Sequence, residues 1–283
     1  METALKFGRE DNLVGILGQP TQAVTQTSPG VLFLNAGVEH RVGPRGLYTA
    51  LARALNDAGY ATLRFDFGGL GESRKPSIPV SSDRVIEMRS ECATASDTLI
   101  RHAGVASVVV CGLCSGADDA FRYALSDSRV AGVAMIDGYA LPTTGFRIRY
   151  YLQRLVSLRR WRNAWQRYLH SERQPDVPDP GLAADDLYFF AMPDRDALAG
   201  DLAQLLARDV QLFCVYSGGV QDVYNYGSQF ADAFPDLAFG SALSEHFVPA
   251  ADHTFSRSDA RAELIARLRD WMDSAFTAQT RAR

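Results

Sequence analysis

The sequence predicts an α/β protein, a mostly parallel central sheet flanked by helices, with a helical lid inserted into it. Three observations carry this expectation. Short, near-continuously apolar runs alternate with amphipathic helical segments through residues 1–140 and again through 209–283, as expected for parallel strands buried on both faces. Glycine, cysteine, aspartate and histidine collect just after those runs, where open α/β sheets place their ligands. Residues 141–208 break the alternation and form the insertion that divides the core into two parts.

Each element has its own signal. Strands are predicted at 12–20 (NLVGILGQP), 30–37 (GVLFLNAG), 61–69, 106–112, 130–138 and 210–218, with a weaker one at 237–245. Leu47, Leu51 and Leu55 share one face of a helix within 43–60, which Gly59 stops. Further helices are predicted over 84–104, with Gly104 as the stop, over 115–126 and over 259–276. In the insertion, eight arginines between Arg147 and Arg173 face a single acid, Glu172, and an acidic stretch from Asp176 to Asp201 follows. Aromatics are dense there, from Phe146 to Phe190, and are expected to pack the lid.

Composition narrows the function classes. The chain has 283 residues, 47% hydrophobic and 22% charged, with a formal net charge of −4, and nothing in that balance points to nucleic acid as a partner. Four cysteines do not make a disulfide scaffold. No secretory leader and no run long enough to span a membrane is read, so a cytoplasmic location is expected.

The chemistry concentrates in VVVCGLCSGADDAF, residues 108–121. A strand runs into a glycine-flanked turn and then a helix, and Gly112-Leu113-Cys114-Ser115-Gly116 has the spacing G-x-nucleophile-x-G. The register makes Cys114 the central residue, before a helix N-terminus that favours a thiolate. Ser115 follows it; its backbone N–H is a candidate oxyanion donor and its hydroxyl a candidate helix cap. Cys111 and Cys114 also have the spacing of a redox CxxC pair, but Cys111 ends an apolar strand, and no second pair exists to complete a zinc site. No metal or other cofactor is expected.

With these residues the chain resembles the α/β-hydrolase superfamily over about residues 12–275. The resemblance rests on four landmarks in family order: LNAG at 34–37, RFDFGGLGES at 64–73, GLCSG at 112–116 and ADHTF at 251–255. The loop NAGVEHRVGPRGLY (35–48) also resembles a subgroup of bacterial hydrolases associated with exosortase systems. The resemblance implies His253 as catalytic base, with His246 as its rival. It implies Asp222, after the strand at 210–218, as the acid, with Asp137 as the alternative. It implies Val38 N–H as the second oxyanion donor and a structural turn role for Asp66. Most of the superfamily carries serine at the nucleophile; the cysteine members include dienelactone hydrolases and polyhydroxyalkanoate synthases.

The expected activity is therefore acyl transfer or hydrolysis through a Cys114 acyl-thioester. The substrate is a small-molecule thioester or activated ester, with coenzyme A or acyl-carrier-protein thioesters as candidate donors. A small-ester or lactone hydrolase, and a non-catalytic acyl-carrier binding protein, are the alternatives. Arg41 and Arg45, beside the oxyanion loop, are candidates for a substrate anion. The lid arginines are read either as a solvated face or as contacts for a carboxylate, a phosphate or an acidic carrier.

Overall fold

In sequence order the described residues form eight strands, and one sheet collects them all. The structure, a computed structural model, describes residues 1–20, 28–156 and 192–277. The strands are β1 (Glu2–Phe7), β2 (Leu13–Gly18), β3 (Gly30–Leu34), β4 (Thr62–Asp66), β5 (Val108–Leu113), β6 (Val130–Ile136), β7 (Gln211–Ser217) and β8 (Leu243–Val248). They are ordered β1-β2-β4-β3-β5-β6-β7-β8. Only the β1/β2 and β2/β4 pairs are antiparallel, so the third to eighth strands run parallel and their carboxyl ends share one edge.

Alternation along the strands sorts the core into two layers. Leu32, Leu34, Val108, Val110, Leu212 and Cys214 pack on one face, and Val31, Phe33, Val109, Cys111, Phe213 and Val215 on the other. Both faces are apolar because both are covered, as a parallel sheet requires. The first face carries α2 (Arg84–Ala103) and α3 (Ser115–Ser126); the second carries α1 (Leu47–Asp57). Asp83 caps α2 by accepting from Val85 and Ile86 N–H, and Gly104 closes it at φ 71°.

After β6 come α4 (Thr144–Val156) and α5 (Arg195–Leu206), then a short α6 (Gln229–Ala233); α7 (Ser258–Met272) covers the second face. Residues 157–191 of the predicted insertion lie outside the described residues. Its carboxyl-terminal part behaves as core: Leu198, Leu202 and Leu205 of α5 are fully buried against the first layer. The leucine spacing of α5 thus belongs to a helix that packs on the sheet.

Two strands differ from expectation. β1 was not foreseen, having only Leu5 and Phe7 as large apolar residues on an edge strand. Glu2 on it accepts from Arg64 and Arg53, which explains why Arg64 is buried within the sheet. β8 lies later than 237–245, because Leu237 and Phe239 pack over α6 instead, with Phe239 against Phe230.

Candidate active site

β5 delivers its last residue, Leu113, into a turn so tight that only glycine fits on either side. A Cβ on Gly112 would stand 2.0 Å from the Gly116 carbonyl oxygen, and one on Gly116 would stand 2.5 Å from that of Asn35. Between them Cys114 takes φ 56°, ψ −119°, a strained conformation for a residue with a side chain. The turn is pinned from three sides: Tyr48 Oη accepts from Leu113 N–H at 2.8 Å, Ile136 O accepts from Cys114 N–H at 2.9 Å, and Cys114 O accepts from Ala117 N–H. Gly112→Ala is expected to destabilise the fold by about 3 kcal/mol, since the clash is with backbone that cannot move aside. A thermal melt measures it.

Cys114 is partly exposed, whereas Cys92, Cys111 and Cys214 are buried and all four thiols are free. Burial pushes the Cys111 thiol up to about 12, which makes it a poor redox partner for Cys114. Among the described residues no cluster of ligands could hold a metal ion.

His253 reaches the elbow from the loop between β8 and α7. Asp252 shapes that loop by accepting from Thr254 and Ser256, bonds that hold its carboxyl well below the usual range. Gly218 and Gly219 let the loop close in: a Cβ on the first would meet Pro249 O at 2.2 Å, and on the second His253 N at 2.5 Å. His246, the rival, lies on β8 between Ser244 Oγ at 2.9 Å and Arg267 Nη1 at 2.8 Å, away from the elbow.

The carboxylate at His253 is that of Asp137. Its Oδ2 stands 2.8 Å from His253 Nδ1, and its side chain has no solvent exposure. Asp137 follows β6 with φ 47°, its N–H donated to Val215 O. Ser217, the last residue of β7, donates to it twice at 2.6 Å, N–H to Oδ1 and Oγ–H to Oδ2. Asp222 is exposed in the turn beyond β7 and is not the carboxylate at His253. Of the two candidate aspartates, the one that meets His253 is Asp137, the alternative, because β6 and β7 are neighbours and Ser217 fills the end of β7. The Asp137 bond first, and the nearby Cys114 sulfur second, raise His253 to about 10.

The loop after β3 is tied to the elbow by Gly37, whose N–H is donated to Ser115 Oγ at 2.8 Å. That bond is the role of the Ser115 hydroxyl; it makes no helix cap. The next residue, Val38, is 64% exposed. Behind it Asn35 donates to Glu39 O and Asp66 Oδ1 and accepts from Phe67 N–H. Asp66 is fully buried and also accepts from Arg41, so it braces the loop.

Arg41 is correspondingly committed. It pairs with both Asp66 and Glu72, so its charge is already matched within the protein. Arg45 stands exposed in a short turn at φ 50°. Of the lid arginines within the described residues, Arg149 lies over the Tyr226 ring at 4.1 Å; Arg154 to Arg173 include the segment outside them. Ser217, Gly218, Gly219, Asp252 and Tyr48 support the site without having been singled out; the sequence signal for the first three is an SGG at a strand end.

No family model and no curated protein matches the chain. Solved structures do. An esterase of Pyrococcus furiosus superposes with a TM-score of 0.59 at 15% identity, covering 98% of this chain and 91% of that one. A dienelactone hydrolase of Anabaena variabilis gives 0.57 at 17% identity, covering 96% of each chain. The esterase domain of a Rhodothermus marinus protein gives 0.55 at 22% identity, covering 96% of this chain and 97% of that one. The eight-stranded, mostly parallel sheet, its flanking helices and these superpositions establish that this chain has the α/β-hydrolase fold.

Proposed function

We propose that the protein is an acyl enzyme with a cysteine nucleophile, acting on a thioester or activated ester. The observation that carries this reading is the Asp137–His253 hydrogen bond set beside Cys114, which occupies a strained strand-to-helix turn. Asp137 fixes the imidazole so that Nε2 faces the sulfur and Nδ1–H faces the carboxylate. The thiol proton passes to His253, and the sulfur attacks the substrate carbonyl. Backbone N–H groups of Ser115 and Val38 receive the oxyanion. The imidazolium returns its proton to the departing thiol or alcohol as the carbon–leaving group bond breaks, leaving an acyl-thioester on Cys114.

Because donor and product are both thioesters, exchange from coenzyme A or acyl-carrier thioesters is nearly isoenergetic at this step. Water, an amine or an alcohol then resolves the intermediate. Lactone or small-ester hydrolysis is the second reading, favoured by the esterases and dienelactone hydrolase among the structural neighbours. Intact-mass spectrometry with a panel of thioesters and activated esters tests the intermediate, and product analysis with amine and alcohol acceptors separates transfer from hydrolysis. Stable binding of an acylated carrier with no adduct and no turnover would favour the binding-protein alternative instead.

The histidine also predicts a pH dependence of stability. Its folded value of about 10 lies above the unfolded 6.5, so the folded state binds the extra proton between them. This stabilisation is fully present below pH 6.5 and is lost as pH rises through about 10. Melting temperatures of wild type and His253→Gln should differ most at the acid end of this window and converge at the alkaline end. A gap that widens with rising pH would contradict the assignment.

A further inference from the structure

On the α2 side of the elbow lies a cavity of about 550 Å³ that includes neither Cys114 nor His253. It starts at the oxyanion loop, where Asn35 and Gly37 line it, and Gly37 is the residue bonded to Ser115. Asp119 lines it from α3, one helical turn beyond Ser115 and on the same side. Phe67, Leu70, Met88 and two prolines, Pro76 and Pro79, give it apolar walls. Its size is that of pockets that hold small organic molecules.

Its charges differ in depth and in commitment. Lys75 is exposed at the rim. Arg84, also largely exposed, is bonded through both terminal nitrogens to the Asp119 carboxylate at 3.0 and 2.8 Å. Asp83 caps α2, and Glu87 accepts from Val80 and Ser81 N–H. Glu91 is the exception. It is 9% exposed, and its carboxyl accepts from Gly68 N–H at 3.2 and 3.0 Å. Among the described residues it has no cationic partner within ion-pair distance. Burial first, and the neighbouring Glu87 as well, push Glu91 up to about 7 against the Gly68 bond.

We propose that this cavity is a subsite for a protonated amine carried by the acyl substrate, its hydrocarbon stem along Phe67, Leu70 and Met88 and its ammonium on Glu91. The inference rests on the acyl-enzyme reading above. An ammonium supplies the countercharge that the buried carboxyl lacks, and a charge-assisted hydrogen bond with it. The cavity borders Gly37, so in this proposal the stem runs past Gly37 to the reacting carbonyl. Four carboxyl groups against two cations make the cavity hostile to phosphates and carboxylates. The phosphates of a coenzyme A donor would therefore lie elsewhere.

The test compares two para-nitrophenyl esters, one of dimethylaminohexanoate and one of its carbon isostere, methyloctanoate. Wild type should prefer the ammonium ester by about tenfold in kcat/KM at mildly alkaline pH. Glu91→Gln, whose amide oxygen still accepts from Gly68, should abolish the preference and leave the isostere rate unchanged. The preference should grow as pH rises through about 7, because Glu91 must ionise to pair. The other charges facing it are Arg84 and Glu87 on α2, Asp119 on α3, and Asp83 and Lys75 on the segment before α2. Leu70→Trp, which fills the wall, should lower the rate on both esters.

A second pair of esters, with the ammonium on the leaving group instead, shows which half of the substrate the cavity reads; preference for that pair alone would move the subsite to the leaving group and overturn the acyl assignment. Equal rates on the acyl pair in wild type, or a preference that survives Glu91→Gln, would also overturn it. If no ester acylates Cys114, the acyl-enzyme reading falls. Calorimetry with dimethylhexylamine then decides the cavity alone, with binding to wild type and none to Glu91→Gln expected and equal binding refuting it.

Discussion

Cys114→Ala is expected to abolish the covalent acyl adduct and to lower kcat/KM by on the order of 10⁴-fold or more, the scale on which removal of a nucleophile acts. The fold should not suffer. Cys114 is partly exposed, and its strained φ of 56° comes from the elbow's backbone bonds, which alanine retains. Ser115→Ala should keep the adduct, because the proposed donor there is a backbone N–H. That variant loses the Gly37 tie and should react more slowly by about tenfold, since one hydrogen bond positions the loop. An adduct that persists in Cys114→Ala but disappears in Ser115→Ala would reverse the assignment of nucleophile. Cys114→Ser is the informative intermediate. It should still acylate from activated esters, more slowly, and lose its advantage with thioesters, because oxygen is the poorer nucleophile at neutral pH. Time-resolved intact mass gives all three rates in one experiment.

The elbow was legible because its determinants are local. Gly112, Cys114 and Gly116 fall within a span of five residues, and the clashes that demand the glycines involve backbone of the same turn and of Asn35. The strands of the parallel sheet were legible for a related reason, since burial on both faces leaves continuous apolar runs such as Val108–Cys111. β1 was not, because an edge strand held by Glu2, Arg53 and Arg64 shows little apolar periodicity. The partners of Arg41 were not legible. Asp66 at the end of β4 and Glu72 in the turn after it come to Arg41 from 25 and 31 residues away in sequence, and pairing of that kind has no local signal. The cavity beside α2 is equally non-local, drawing Asn35, Phe67, Glu91 and Asp119 from four separate segments.

The choice between Asp137 and Asp222 was a matter of register that the sequence does not contain. β6 and β7 pair in parallel with Ile136 opposite Val215, so the residues just after either strand emerge side by side at the sheet edge. Asp137→Asn is therefore expected to slow acylation by on the order of 10³-fold, and Asp222→Asn to leave it within about twofold. The mechanism of the loss separates it from misfolding. Without the Asp137 carboxylate, the largest cause of the raised His253 value is gone, and the alkaline limb of the acylation rate should move down from about 10 toward the ordinary 6.5. Ser217→Ala should act through the same carboxylate and more gently. It removes one of the two Ser217 bonds to Asp137, leaving the N–H bond at 2.6 Å, and should cost about tenfold in kcat with little change in KM. Ser217→Thr, which restores the hydroxyl, should recover most of that loss, whereas a purely packing role would not be rescued by an added methyl at a fully buried position. Equal losses in Asp137→Asn and Asp222→Asn, with no displacement of the alkaline limb in the former, would return the acid to the turn beyond β7. A displaced limb in Asp137→Asn alone, partly reproduced by Ser217→Ala, would make Ser217 the positioning residue through which the end of β7 still serves the histidine.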